Sequence, residues 1–409
     1  MINISGLIEK IKYFNWILQQ KGLRFTILVL IKKVFRKIQG KLKYQTWWQN
    51  NQVKLSQIQK YKAEIASWSQ PPKLSIIMPV YNVDIQWLEK AIESVQKQIY
   101  PNWELCIADD ASTNAEIPVI LQKYQNQDSR IKVFFRAENG NISAASNSAL
   151  EIATGDYICL LDNDDELAID ALFEVAKLIL KYPDADFIYT DEDHIDIRGK
   201  HCGPAFKPDW SPDLFYTQMY TCHLGIYRTK LVREIGGFRS EYDGAQDYDL
   251  VLRLTEKTNN IYHIPQVLYH WRNLATSSAS GLLAKPWAFQ IGKKALEAML
   301  ERSPYPGYVE ETKMPGVFRV RRYLQEHPLI SIVIPSAGKI VNSQSGQICL
   351  LEQCLKSLDL KSSYRNFEII VVDGYDIPEA IISRLNNSIK LVRDRQPFNY
   401  SDRKSTRLN

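Results

Sequence analysis

Short apolar runs alternate with segments of helical periodicity between residues 73 and 165, and this order constrains the fold more than any other feature. The runs predicted to be strands lie at residues 74–78, 104–108, 131–135 and 157–161. The segments predicted to be helices lie at residues 85–98, 115–126 and 143–153. Repeated strand–helix–strand order predicts an α/β domain whose parallel sheet is covered by helices on both faces.

The fourth run, Tyr157 to Leu161, leads directly into Asp162-Asn163-Asp164-Asp165. It is short and unbroken, as expected of a buried parallel strand. Ligands of open α/β sheets bind beyond the carboxyl ends of the strands. Clustered carboxylates repel one another unless a cation neutralises them, and hard divalent cations prefer oxygen ligands. The pattern therefore predicts a Mg²⁺ or Mn²⁺ site facing a substrate phosphate; the alternative is a solvated acidic turn.

Strands and helices continue to alternate beyond the acidic residues. We predict a helix at 168–181, a strand at 186–190, a loop-rich stretch at 200–230, a last strand at 261–270 and a helix at 286–301. Gln246-Asp247-Tyr248-Asp249 opens a further helix. Neither a dinucleotide-binding glycine fingerprint nor a P-loop follows any predicted strand, which argues against dehydrogenases and P-loop NTPases.

The opening pattern occurs twice. Leu329 to Pro335 repeats Leu74 to Pro79, and Phe367 to Asp373 repeats Trp103 to Asp109. The second copy stops before a second acidic cluster, so it is expected to be truncated. The predicted domains are a basic helical segment at 1–72, an α/β domain at 73–302, a proline-containing linker at 303–327 and an incomplete second copy at 328–409.

Charge is distributed unevenly along the chain. Residues 1–72 have a net charge of +11, whereas the remaining residues have a net charge of −6. Apolar residues recur at helical spacing from Leu23 to Val34, and Trp47 and Trp48 follow. This pattern is typical either of a segment that lies on an anionic membrane surface or of a helical appendage packed on the α/β domain.

The six cysteines form no Cys-x-x-Cys pair, which indicates free thiols in a reducing cytosol. The most apolar run near the start, Phe25 to Ile31, is too short to span a membrane, and no signal peptide is recognised. We therefore expect a cytoplasmic protein that can associate with the inner face of the cell membrane.

Four short sequences in order resemble those of family 2 glycosyltransferases with the GT-A fold. They are Pro79-Val80-Tyr81-Asn82, Asp109-Asp110-Ala111-Ser112, Asp162-Asn163-Asp164 and Gln246-Asp247-Tyr248-Asp249. The resemblance covers about residues 73–275. The tandem arrangement, with Tyr269-His270-Trp271-Arg272 before the linker, is similar to bacterial O-antigen and capsule enzymes, including rhamnosyltransferase-like members. The second copy departs from the family pattern, since it has Asp373-Gly374-Tyr375-Asp376.

The resemblance implies a nucleotide site at the ends of the first two strands. It assigns Pro79 and Tyr81 to the nucleotide loop, with Tyr81 stacked on the base. It assigns Asp110 to a hydrogen bond with the base, while Asp109 contacts the nucleotide or fixes the loop. An aromatic face and a carboxylate suit a uracil- or thymine-type base, so a UDP- or dTDP-linked sugar is expected.

The resemblance also implies the metal ligands and the base. Asp164 aligns with the metal ligand, and Asp162 is expected to contact the ribose or the metal. His270 either completes the metal shell or is a structural histidine. Asp247 is predicted to be the general base that takes the proton of the acceptor hydroxyl; the alternative is a helix N-cap.

These assignments predict an inverting, metal-dependent glycosyltransferase that uses Mg²⁺ or Mn²⁺. The donor would be a nucleotide-diphosphate sugar, and the acceptor a growing cell-surface glycan or a lipid-linked glycan. No nucleic-acid partner is expected. The alternative function is a catalytically silent scaffold that binds a nucleotide sugar or a glycan.

Overall fold

The structure is a computed structural model that describes residues 43–274, 286–343, 346–386 and 388–393. It divides into two compact units, Met1–Arg322 and Tyr323–Asn409. The first unit contains the predicted α/β domain, and the second contains the repeated pattern.

A nine-stranded sheet forms the centre of the first unit's described part. Its strands are β1 Leu74–Val80, β2 Trp103–Asp109, β3 Ile131–Phe135, β4 Tyr157–Leu160, β5 Glu166–Leu167, β6 Phe187–Ile195, β7 His201–Ala205, β8 Gly225–Arg228 and β9 Ile261–Arg272. Their order is β3-β2-β1-β4-β8-β6-β9-β5, and β7 pairs with β6. β1 to β4 pair in parallel, and so do β6 and β9, whereas β5, β7 and β8 pair antiparallel to their neighbours.

Helices cover both faces of this sheet. They are α1 at residues 43–51, α2 Leu55–Ala66, α3 Ile85–Gln96, α4 Glu116–Gln127, α5 Asn141–Ile152, α6 Ala171–Lys181, α7 Pro212–Phe215, α8 Thr229–Glu234, α9 Gln246–Thr255 and α10 Pro286–Arg302. Neighbouring residues of a strand point to opposite faces. Ile76 accordingly packs in the core that contains α3, α4 and α6, whereas Ile77 packs in the core that contains α5, α9 and α10. This three-layer arrangement confirms the predicted fold class.

Two local expectations differ from the structure. Pro79 was expected to end the first strand, but β1 continues to Val80. The strand tolerates Pro79 because its neighbour β4 ends opposite Ile77, so the missing N–H interrupts no ladder there. The loop-rich stretch at 200–230 contains β7 and β8, which are too short to produce a clear periodic pattern.

The stretch predicted as a linker contains a β-hairpin that belongs to the first unit. Its strands are β10 Gly307–Glu311 and β11 Phe318–Arg322. Val309 and Phe318 are buried in the same core as α9 and α10. Gly316 adopts a φ of +76°, which favours glycine in the turn.

The described part of the N-terminal segment packs on the α/β domain of the first unit. Tyr61 of α2 stacks on Phe173 with ring centroids 4.1 Å apart, and Trp68, which follows α2, stacks on the same ring at 5.6 Å. The amphipathic pattern from Leu23 to Val34 lies outside the described residues. Within the described parts of the chain, every helix is too short or too polar to cross a lipid bilayer.

The second unit repeats the first strands of the sheet. Its elements are β12 Ile330–Ser336, β13 Ile340–Ser343, β14 Gly346–Cys349, α11 Leu350–Lys361, β15 Phe367–Asp373, α12 Glu379–Ile382 and β16 Ile389–Arg393. β12, β15 and β16 form a parallel sheet, and β13 pairs with β14 in a hairpin.

Candidate functional site

The acidic loop, residues 162–165, follows β4 at the carboxyl ends of the parallel strands. The N–H of Asp162 donates to the hydroxyl of Tyr269 on β9 at 3.3 Å. The side chain of Asn163 donates to the carbonyl of Pro79 on β1 at 3.0 Å. The loop is therefore attached to the strand that carries the predicted nucleotide loop and to the last strand of the sheet.

Asp165 supports the acidic loop from inside the protein. Its carboxylate is fully buried, and it accepts hydrogen bonds from the hydroxyl of Tyr269 at 2.5 Å and the N–H of Arg272 at 2.7 Å. The Arg272 side chain also donates to the carbonyl of Asp164 at 2.8 Å and pairs with Glu166. These bonds give the third acid of the loop a structural role.

Asp162 and Asp164 are the two carboxylates of the acidic loop whose negative charges repel each other, as is expected at a cation site. The side chain of Asp162 is 39% exposed. Burial and the charge of Asp162 together raise the pKa of Asp164 to about 6, against the opposite effects of Arg272 and His223. A cation bound between the two carboxylates would relieve this repulsion.

His223 faces the acidic loop, although no sequence pattern singled it out. Its Nε2 lies 3.8 Å from Oδ2 of Asp162, and its ring stacks on Tyr269 with centroids 4.6 Å apart. The buried ion pair of Glu192 and Lys207 holds its backbone, because Glu192 accepts from its N–H at 2.9 Å and Lys207 donates to its carbonyl. The sequence signal was weak, namely a histidine just before a short strand in an aperiodic stretch.

Asp247 lies at the start of α9 and shares the electrostatic environment of the acidic loop. The N-cap of α9 is Ala245, so Asp247 is the second helical residue and does not cap the helix. Its half-buried carboxylate accepts from the N–H of Tyr248 at 2.8 Å. Burial raises the pKa of Asp247, His223 lowers it, and Asp162 raises it.

The loop after β1 presents Tyr81 to solvent, with 47% of its surface exposed. Asn82 holds this loop in place with a φ of +47°. Its side-chain oxygen accepts from the N–H groups of Thr113 at 2.9 Å and Asn114 at 3.1 Å. The exposed aromatic face is thus carried by a well-anchored turn.

Asp109, the last residue of β2, and Asp110, which follows it, are both buried. Oδ1 of Asp109 accepts from the N–H of Ser112 at 3.3 Å. Oδ1 of Asp110 accepts from Nε of Arg136 at 2.7 Å and from the N–H of Gly140 at 2.9 Å. Asp110 therefore connects the end of β2 to the residue after β3 and to the residue before α5.

His270 forms its hydrogen bond outside the acidic loop. Its Nδ1 lies 2.7 Å from Oδ1 of Asp193, and Oδ2 of Asp193 lies 2.8 Å from Nδ1 of His201. Among the described residues, these three form the one group of three or more candidate metal ligands whose donor atoms all lie within 4.8 Å of one another. Asp164 is not a member of this group, and a cation shared by Asp164 and His270 stays a prediction.

Residues 75–236 match the family described as Glycosyl transferase family 2. The chain is also 31% identical over 207 residues to the putative glycosyltransferase EpsE of Bacillus subtilis (strain 168), covering 49% of this chain and 73% of that protein. The chain belongs to glycosyl transferase family 2.

Longer relatives match this family 2 chain over most of its length. The O-antigen biosynthesis protein RfbC of Myxococcus xanthus is 33% identical over 341 residues, which are 82% of this chain and 26% of that protein. The chain spans 26–36% of the length of two such relatives, and 20% of the length of a third that matches 49% of this chain. Among solved structures, S. aureus TarS in complex with UDP-GlcNAc matches with a TM-score of 0.47 and 22% identity, over 57% of this chain and 67% of that one.

Proposed function

We propose that the first unit is an inverting glycosyltransferase that moves a sugar from a nucleotide-diphosphate donor to a growing cell-surface glycan. The observation that carries the proposal is the convergence of the acidic loop, His223 and Asp247 beyond the end of β4, in a chain of glycosyl transferase family 2. The similarity to RfbC, which is named for O-antigen biosynthesis, supports a bacterial surface glycan as the product.

The donor base would lie on the Tyr81 loop. The exposed ring of Tyr81 offers a stacking face, and the anchored turn at Asn82 holds that face in position. Asp109 and Asp110 lie at the end of the neighbouring strand. We assign a UDP- or dTDP-linked sugar to this pocket.

The residues of the acidic loop fit a divalent cation. Asp162 and Asp164 repel each other, and their oxygens are the ligands that Mg²⁺ and Mn²⁺ prefer. A bound ion would neutralise charge on the departing diphosphate. His223 lies beside Asp162 on the same side of the site.

Asp247 would take the proton of the acceptor hydroxyl. The Tyr248 N–H fixes one carboxylate oxygen, and the start of α9 favours a negative charge there. Its raised pKa makes it a stronger base than an exposed aspartate, which suits proton transfer near neutral pH.

The remaining segments have proposed roles that follow from their composition and repeats. The basic residues of 1–72 would bring the enzyme to anionic lipid at the inner face of the cell membrane. Residues 328–409 would form a second glycosyltransferase-like unit that the chemistry of the first unit does not require.

The substitution Asp247→Asn tests the function directly. Asparagine keeps the size and the oxygen that accepts from Tyr248, but it cannot take a proton. We expect transfer to fall by about 10²–10⁴ in kcat, with little change in donor affinity measured by calorimetry. Release of nucleoside diphosphate from donors in the presence of Mn²⁺ gives a second assay that needs no acceptor.

The matched control is Glu241→Gln, because Glu241 is an exposed carboxylate in the turn just before α9. Near-parental transfer by Asp247→Asn would reject Asp247 as the base. A parental chain that binds donor and Mn²⁺ but never transfers or hydrolyses would reject the enzyme in favour of the scaffold.

A further inference from the structure

Trp287 is an exposed tryptophan in the first turn of α10, with 53% of its surface accessible to solvent. A single exposed apolar side chain is common on protein surfaces and needs no function. Trp287 differs from such residues in its position, because its ring lies against the turn that leads into α9 and the proposed base, Asp247. Its position therefore gives more information than its exposure.

The helices α9 and α10 run side by side in the same direction. At one end of the pair, the ring of Trp287 lies against Gly244, which is three residues before Asp247. At the other end, Nε of Arg302 donates to Oε1 of Glu256, just after α9, at 3.0 Å. The exposed indole and the proposed base therefore lie at the same end of this helix pair.

The indole ring packs directly on the backbone of Gly244. A Cβ atom at Gly244 would lie 2.6 Å from Cη2 of Trp287, which is too close for any side chain. Gly244 also has a φ of +95°, a conformation that glycine adopts readily. Since about half of its surface is exposed, the ring is packed on one side and faces solvent on the other.

The first turn of α10 is also held from the side of the β10–β11 hairpin. Phe289 packs on Gly316 in the hairpin turn, where a Cβ atom would lie 2.7 Å from Cε1 of Phe289. The side chain of Gln290 donates to Glu311 of β10 at 3.3 Å. Contacts on two sides fix the start of the helix, so Trp287 would lose little freedom when a ligand stacks on it.

A sugar ring is the ligand whose chemistry fits this indole. A pyranose has an apolar face made of C–H groups and a rim of hydroxyls, and a large aromatic ring with a polar edge suits both parts. The base of the donor is already assigned to Tyr81, on the loop after β1. Trp287 lies instead beside Asp247, where the hydroxyl of the acceptor must be placed.

We propose that Trp287 is the stacking platform for the acceptor sugar. The C–H face of a pyranose would lie on the solvent-facing side of the indole, with one hydroxyl directed towards Asp247. The inference rests on the proposed function, because an acceptor sugar is needed there only if Asp247 serves as the base. It assigns acceptor recognition to α10 and leaves donor recognition to the ends of the strands.

Saturation-transfer NMR on the full chain measures saccharide binding directly. The probes are the methyl glycosides of rhamnose, galactose and N-acetylglucosamine, each with and without UDP and Mn²⁺. We expect the parental chain to transfer saturation to the ring C–H protons of at least one glycoside. We expect about tenfold weaker binding of that glycoside by Trp287→Ala. Trp287→Phe keeps an aromatic face and should recover part of the affinity.

The matched control is Trp47→Ala, because Trp47 is a tryptophan of α1 that is 39% exposed. This variant should bind the glycoside as the parent does. Calorimetry with UDP and Mn²⁺ separates this inference from the proposed function, since Trp287→Ala should bind UDP like the parent. A parent that fails to bind UDP would count against the proposed donor site, and the glycoside measurement without UDP would still test Trp287.

Three results would overturn the proposal. The first is a parental chain that transfers saturation to none of the three glycosides. The second is equal glycoside affinity in the parent and Trp287→Ala, which would leave the indole to the packing of α10 or to another kind of partner. The third is a loss of UDP binding in Trp287→Ala, which would show that the contact with Gly244 is structural.

Discussion

The two copies of the opening strand unit share a polar framework but differ in the loops above it. In the first copy, Ser75 donates to Glu104 at 2.7 Å, and Lys132 pairs with Glu104 at 2.8 Å. In the second copy, Ser331, Glu368 and Lys390 form the same three-residue arrangement on β12, β15 and β16. The paired strands also have the same register, from Leu74↔Trp103 and from Ile330↔Phe367. The hydrogen-bonded serine, glutamate and lysine are therefore part of the fold that is repeated.

The loops of the two copies carry different chemistry. The first copy passes from β1 to α3 through a short loop that presents Tyr81, whereas the β13–β14 hairpin occupies this connection in the second copy. The residue after the last strand acid is Asp110 in the first copy and Gly374 in the second. Asp373 also uses Oδ1 to accept from the N–H groups of Asp376 and Ile377. The sheet is therefore repeated without the groups that would recognise a nucleotide.

The largest expected effect is a difference in donor binding between a substitution of Asp164 in the first copy and one of Asp376 in the second. Asp164→Ala should remove the Mn²⁺-dependent part of donor binding and leave the fold intact, because Asp164 is the proposed ligand on the acidic loop. Asp376→Ala, in the second copy, should leave that binding unchanged. Calorimetry with and without Mn²⁺ measures both. Equal metal-dependent affinity in Asp164→Ala and the parent would contradict the assignment.

A smaller effect tests the shared framework. The side chain of Glu104 is 2% exposed and that of Glu368 is 21% exposed. Glu104→Gln should destabilise the first unit by about 2 kcal/mol, because the buried side chain loses the charge that strengthens its hydrogen bonds with Lys73 and Lys132, whereas Glu368→Gln should cost less than about 1 kcal/mol. All nine tryptophans lie between Trp16 and Trp287, so tryptophan fluorescence follows unfolding of the first unit alone. An equal change in the free energy of unfolding in Glu104→Gln and Glu368→Gln would show that burial does not distinguish the two frameworks.

The same glutamate gives a pH dependence. Burial by itself would raise the pKa of Glu104, but hydrogen bonds from Lys132 and Lys73 lower it from 4.5 to about 2. Because this pKa is lower in the folded than in the unfolded protein, the ionised carboxylate stabilises the fold at any pH above the unfolded pKa. This stabilisation is lost as the pH falls towards the folded pKa. The stability difference between the parent and Glu104→Gln should therefore shrink between pH 5 and pH 2, as measured by urea unfolding. A constant difference across this range would argue against an ionised Glu104 as the source.

The smallest expected effect concerns the two exposed tyrosines of the loops. Tyr81 and Tyr375 are 47% and 50% exposed. Tyr81→Ala should weaken donor binding by about tenfold, since stacking of a base on an aromatic ring contributes about 1–3 kcal/mol. Tyr375→Ala serves as the matched control and should not change donor binding. A loss in both variants, measured by calorimetry, would place the second copy at the nucleotide.

Sequence patterns predicted the parts of this fold that local burial determines. Buried apolar runs located β2 and β15, and they also placed the acids of the acidic loop after the end of β4, where ligands of α/β sheets bind. The antiparallel strands β5 and β8 were missed, since two and four residues carry too little periodicity.

Side chains brought together by long-range pairing were also missed. Asp193 meets His270 because β6 and β9 shift register between Thr190 and Glu192. A β-bulge of this kind re-aims the residues that follow it, and no local pattern reveals it. His223 reaches the acidic loop through its stacking on Tyr269, a contact between residues far apart in the chain.

The contacts of the buried Arg272 side chain determine when the acidic loop can reach its final geometry during synthesis of the chain. Its backbone and guanidinium hold Asp165, Asp164 and Glu166, which were translated more than a hundred residues earlier. Such distant contacts form late, because the intervening chain must first fold. A nascent chain that has completed β4 but not β9 would thus have its acids without the arginine that positions them. Residue 272 must be synthesised before the acidic loop can take its final geometry, so the proposed metal and donor site would form only after β9 is complete.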